Sequence, residues 1–172
     1  MGGGPAARLA CKSCLDSASS IPTWKLVAPS IWIDILLQAD GAVGADPACG
    51  FTTLVACCIH KDWVCGASCG DSALAYWCDG KDAAVLTRHQ EKNPPIGSGG
   101  ANIVPFSAHL KAPWIVAAMT DGVWKYVGWD RLHEVFQSDQ RETAIEKLLT
   151  IARSLRTKRL PDDFTIVVIH GE

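Results

Sequence analysis

The chain has 172 residues, a length that suits one domain able to bury roughly two-thirds of its unfolded surface. Hydrophobic content of 48% with 20% charged residues excludes a disordered chain and reads as a folded globular protein. The net charge of −2 gives no footprint for nucleic acid, and no apolar run approaches the roughly 20 residues of a membrane span.

Residues 5–19 carry Ala6, Leu9, Ala10, Cys14 and Leu15 at helical spacing behind a Gly-Pro start signal. Ser30 is expected to cap a second helix with Ile31, Ile35, Leu36 and Ala39 on one face. Residues 52–59 and 63–68 read as strands joined by the polar turn His60-Lys61-Asp62. A third strand covers 73–78 and ends at Asp79-Gly80, a hairpin-turn signal. Polar residues, prolines and glycines over 87–100 indicate a long surface loop of the functional kind. An apolar strand, 114–119, then runs into Thr120-Asp121-Gly122. Helices are expected at 129–136 and 141–155, and a last strand at 164–170. Arg153, Arg156, Lys158 and Arg159 lie near the end of the second of these helices, where cations complement the helix dipole. Helices, a run of strands, helices and a final strand indicate an α+β fold with antiparallel sheets rather than βαβ units.

Eight cysteines do not make a disulfide framework here. Cys57, Cys58, Cys65, Cys69 and Cys78 sit in strand-like runs, where a free thiol behaves as a small hydrophobe. Cys11 and Cys14 form a C-x-x-C inside a helical pattern with no second pair at zinc-site spacing. Residues 1–15 have no signal-peptide core, and Ala6 stands where myristoylation needs Ser or Thr. A reducing, cytoplasmic setting follows as the expectation. The five histidines show no ligand spacing and are read as structural or solvent-facing.

The chemistry concentrates at two acidic clusters. One follows the strand 114–119 at Asp121; the other, Asp162-Asp163, precedes the last strand. If those strands are antiparallel neighbours, the end of the first meets the start of the second, and the carboxylates converge at one rim. Carboxylates gathered there suit a hard divalent cation.

Gly50-Phe51-Thr52-Thr53, Gly70-Asp71-Ser72, Thr120-Asp121-Gly122 and Asp162-Asp163-Phe164-Thr165 occur in this order. Together they resemble the metal-dependent protein serine/threonine phosphatases of the protein phosphatase 2C family, whose patterns are Gly-x-Thr, Gly-Asp-Ser, Ser-Asp-Gly and Asp-Asn-x-Thr. Ile96-Gly97-Ser98-Gly99 and the phrase from Asp121 to Tyr126 are similar to small bacterial members. The resemblance implies a four-layer α-β-β-α sandwich of two mainly antiparallel sheets flanked by helices. It also implies hydrolysis of phosphoserine or phosphothreonine in a protein substrate, the product of a serine/threonine kinase. Two Mn²⁺ or Mg²⁺ ions activate a bridging water in such a reaction.

Carried across by position, Asp121 and Asp162 match ligands of the two-metal centre, and Asp71 matches a contributor to an accessory third site. Asp163 stands in place of Asn, and Thr120 in place of Ser. Met1-Gly2-Gly3 looks like the end of the family's early Asp-Gly-x-Gly-Gly, whose aspartate bridges both metals. The expectation is a single domain lacking its first strands, weakly active because the early ligands and the phosphate-binding Arg have no counterpart.

Other readings of the same residues stay open. Asp121, Asp162 (after Pro161) and Asp71 each fit an ordinary turn or strand cap. Gly66-Ala67-Ser68-Cys69-Gly70 matches the G-x-S-x-G nucleophile elbow of a serine hydrolase, although the required helix does not follow it. An incomplete ligand set also suits a phosphatase-like module that binds a partner without turnover.

Overall fold

Pro29 decides where the second helix begins. In the computed structural model, which describes residues 3–78, 83–138, 143–154, 160 and 162–172, α1 spans Gly3–Ser19 and α2 spans Pro29–Gly44. The N-cap of α2 is Ala28, with extended backbone and no side-chain cap. Ser30 is therefore not the cap, contrary to the sequence reading. Proline takes the first turn, where its missing N–H and fixed φ are no handicap, and Ser30 falls inside the helix. Ala6, Ala10 and Cys14, spaced four apart, form the buried stripe of α1. Trp32, Ile35, Leu36, Ala39 and Val43 form that of α2, together with a carboxylate, Asp40.

Contacts divide the chain into two compact units. The first comprises residues 1–72 and 87–109. Its strands are β1 (Leu54–His60), β2 (Trp63–Cys69) and, after the segment 87–100, a strand at Val104–His109. That last strand escapes a periodicity reading, because Pro105 stands within it. It is tolerated because the strand lies at an edge, in the antiparallel order β1, β2, Val104–His109. Lys61, at φ 52°, turns β1 into β2. Leu54 of β1 and Cys65, Ala67 and Cys69 of β2 meet the buried residues of α1 and α2 on one face.

The second unit comprises residues 73–86 and 110–172. It holds β3 (Ala73–Cys78), β4 (Ala84–Val85), β6 (Trp114–Met119) and β7 (Ile166–Gly171), with Val104–His109 being β5 in chain order. The sheet runs β4-β3-β6-β7 with every described pair antiparallel. Helices α3 (Asp121–Val127), α4 (Trp129–Gln137) and α5 (Ala144–Ser154) cover it. Alternate residues Ala73, Ala75, Trp77, Ile115, Ala117 and Met119 pack against Val123, Leu132, Phe136 and Leu148 of these helices. Trp77 meets Phe136 edge-on, ring centroids 4.7 Å apart.

The α+β reading with antiparallel sheets and helices holds. β4, β5 and α3 were not foreseen, and β7 begins two residues later than expected. Met1-Gly2, the Asp79-Gly80 turn, Arg141, Arg156, Lys158, Arg159 and Pro161 lie outside the described residues. Among the described residues no helix is long and apolar enough to cross a membrane.

Candidate metal centre

β6 and β7 are antiparallel neighbours, with Met119 opposite Ile166. The end of one strand therefore meets the start of the other. Thr120 makes the junction. Its backbone N–H donates to the Thr165 carbonyl at 3.0 Å. Its hydroxyl donates to the Asp163 carbonyl at 2.8 Å and accepts the Thr165 N–H at 3.0 Å.

Gly122 brings the segments closer still. A Cβ built there would overlap the Asp163 carbonyl oxygen and lie 3.2 Å from the Asp162 Cβ. Only glycine allows that approach. The Asp121-Gly122 step and Asp162-Asp163 are thus brought together.

Asp121 is not in a free turn. It is the first residue of α3, with Thr120 extended before it at φ −73° and ψ 161°. Its Oδ2 lies 2.8 Å from the Lys125 ammonium, one helical turn on. That spacing is the standard i, i+4 signal, invisible in the sequence until residues 121–127 are known to be helical. The Asp162 Oδ1 accepts the N–H of Asp163 at 2.8 Å, which fixes its carboxylate against its own backbone.

The other two motifs meet inside the first unit. The Thr53 and Ser72 hydroxyls are hydrogen-bonded at 2.8 Å. Gly70, at φ 96°, packs on Thr53, whose Cβ would lie 2.7 Å from any Cβ at position 70. Asp71 follows that bend, its Oδ2 3.0 Å from the Lys92 ammonium.

Asp40 was missed by the sequence reading. It is 2% exposed, and it receives the N–H groups of Gly97 (2.6 Å), Gly99 (3.3 Å) and Ala101 (3.3 Å). A carboxylate satisfied by three backbone donors tolerates burial. It ties the Ile96-Gly97-Ser98-Gly99 segment to α2. An acid at position 40, flanked by Ala39 on the buried stripe, was the available signal.

The nucleophile elbow is excluded. Ser68 is fully buried in β2, its Oγ 3.5 Å from the Val104 carbonyl, and β3 rather than a helix follows. Cys11 is exposed and Cys14 buried on α1, with no ligand group around them among the described residues. Burial pushes the Cys14, Cys57 and Cys69 thiols up to about 11. These thiols are inert packing groups at neutral pH.

The donors at the β6–β7 junction are hard oxygens, and Asp121 already binds a cation, the Lys125 ammonium. Carboxylate oxygens are the donor type a hard divalent ion takes. Among the described residues no three Asp, Glu, His or Cys side chains come together to hold a metal ion.

No family model and no curated protein matches the sequence. Solved structures do match. The catalytic domain of the serine/threonine protein phosphatase PstP, in complex with two manganese ions, is similar with a TM-score of 0.79 and 17% identity, over 98% of this chain and 83% of that one. The serine/threonine phosphatase of S. agalactiae gives 0.74 and 17%, over 100% and 84%. PppA of Pseudomonas aeruginosa, described as a regulatory component of T6SS, gives 0.72 and 17%, over 99% and 83%. The motif pairs in each unit and these likenesses agree: the chain has the fold of the protein phosphatase 2C-type serine/threonine phosphatases.

Proposed function

We propose that this domain serves metal-dependent hydrolysis of phosphoserine and phosphothreonine in proteins, the phosphoesters that serine/threonine kinases make. Asp121 and Asp162 act as ligands for Mn²⁺ or Mg²⁺, and Asp71 contributes to an accessory cation site. When bound, the ions supply an activated water and offset phosphate charge. The observation that carries this reading is the junction of Thr120-Asp121-Gly122 with Asp162–Thr165, held by the Thr120 hydroxyl and the bare Gly122.

The 172 residues as they stand contain no Asp-Gly-x-Gly-Gly, and their own turnover is expected to be low. A cation that dehydrates reluctantly is held weakly by two or three carboxylates. The test is phosphate release from a phosphothreonine peptide with and without Mn²⁺, for the wild type and Asp121→Asn. Slow Mn²⁺-dependent release lost in the variant supports the reading. Release that persists in EDTA, or that ignores the substitution, sinks it.

A second reading is a phosphatase-like module that binds phosphoprotein without turnover. The Lys125 and Lys92 ammonium groups on Asp121 and Asp71 favour it. Tight binding of the phosphopeptide with no phosphate release at any Mn²⁺ concentration selects this reading. A cytoplasmic site of action is part of the first proposal, supported by eight cysteines that are all free thiols.

A further inference from the structure

Asp121 is paired with a positive charge that belongs to the chain itself. The Lys125 Nζ is 2.8 Å from Asp121 Oδ2 and 5.2 Å from the centroid of the Trp124 ring. The Trp124 ring in turn stacks on Trp129, at 6.2 Å and 18°. A carboxylate and an aromatic face both stabilise an ammonium, and a stacked ring holds its face in place. The Asp121 side chain is 24% exposed, so solvent screens this pair less than a pair on an open surface. Asp ahead of Lys by four residues is also the favourable order along a helix.

We propose that Lys125 is a built-in competitor for the divalent cation at Asp121, setting how tightly that cation binds. The inference rests on Asp121 being a metal ligand. An ion taking Asp121 Oδ2 must displace the ammonium or share the carboxylate with it. Either way the ammonium stays on the same helix face and repels the ion. Coulomb's law in water, for a dication about 6 Å from an ammonium, corresponds to about tenfold in affinity. Lys125 is thus a positioning residue that keeps the carboxylate neutralised at low metal and raises the concentration needed to load it.

The experiment is a titration of the full 172-residue chain with MnCl₂ at low salt, reading free Mn²⁺ by electron paramagnetic resonance. Lys125→Met should bind about tenfold more tightly than wild type, as the Coulomb estimate requires. Lys125→Arg, which keeps the charge, should bind as wild type does. Lys125→Gln serves as the second neutral variant should the methionine form fail to fold by circular dichroism. Asp121→Asn separates the two claims. If Asp121→Asn weakens Mn²⁺ binding while the neutral variants do not tighten it, the competitor inference is wrong and the ligand reading stands. If Asp121→Asn binds as wild type does, or no variant binds Mn²⁺, the ligand reading fails and the inference with it. A purely structural role for Lys125 would move the melting temperature and leave the Mn²⁺ affinity unchanged.

Discussion

Replacing Gly122 with alanine puts a methyl group where the second acidic segment already lies. The new Cβ would overlap the Asp163 carbonyl oxygen, lie 3.0 Å from the Asp163 carbonyl carbon and 3.2 Å from the Asp162 Cβ. Ordinary contacts of this kind begin at 3.4 Å, and the overlap with the carbonyl oxygen is deep, so residues 162–163 or the start of α3 must shift by about an ångström. The neighbour is mainly backbone, which cannot rotate away as a side chain does. Overpacking of this sort costs about 1–3 kcal/mol, and the rigid partner places it at the upper end. Alanine in a helix returns up to about 1 kcal/mol. The net loss is about 2 kcal/mol, or about 4–8 °C in Tm for a chain of this size. Tryptophan fluorescence during thermal unfolding measures it. Gly41→Ala is the control: position 41 lies in α2 with nothing within 4 Å, so the helix gain alone should raise Tm by a few degrees. A Gly122→Ala protein as stable as wild type would refute the close approach of the two acidic segments.

Thr120→Val removes the hydroxyl that joins Asp163 and Thr165, and denaturant unfolding should show a loss of about 1–3 kcal/mol. Thr120→Ser should recover most of it. Asp40→Ala leaves the N–H groups of Gly97, Gly99 and Ala101 without their acceptor. About 3 kcal/mol or more is expected to be lost, and faster limited proteolysis within residues 96–101 would locate the damage. The Cys57 thiol is pushed from 9.0 to about 11, first by burial and then by the neighbouring thiols. A raised folded-state pKa keeps its stabilising effect below pH 9.0 and loses it as pH rises toward 11. Unfolding free energy should fall over that window by up to about 2–3 kcal/mol on account of Cys57, and Cys57→Ala should flatten the decline. An unchanged slope in the variant would count against the burial of that thiol.

Local pattern was enough for α1, β2, β3 and β6, where apolar residues recur at helical or strand spacing without interruption. It also placed Asp121 at the end of one strand and Asp162 before another, and the four motifs in their order. These are properties of neighbouring residues, and neighbouring residues are what periodicity and turn chemistry report. The two-residue β4 is too short to show a period. β5 contains a proline that only an edge position excuses. The turn chemistry of Asp121-Gly122 masked α3 until packing of Val123 against the sheet drew the helix.

Contacts across long stretches of chain were decided by tertiary structure alone. The register of β6 on β7 brings Thr120 to Thr165. The missing side chain at Gly122 admits Asp163, and the loop after Pro95 folds onto Asp40. The cations on the two candidate ligands were likewise hidden: Lys125 faces Asp121 because the chain coils there, and Lys92 reaches Asp71 because a long segment returns to it. Sequence alone therefore singled out the candidate carboxylates. The fold determined which charges meet them first.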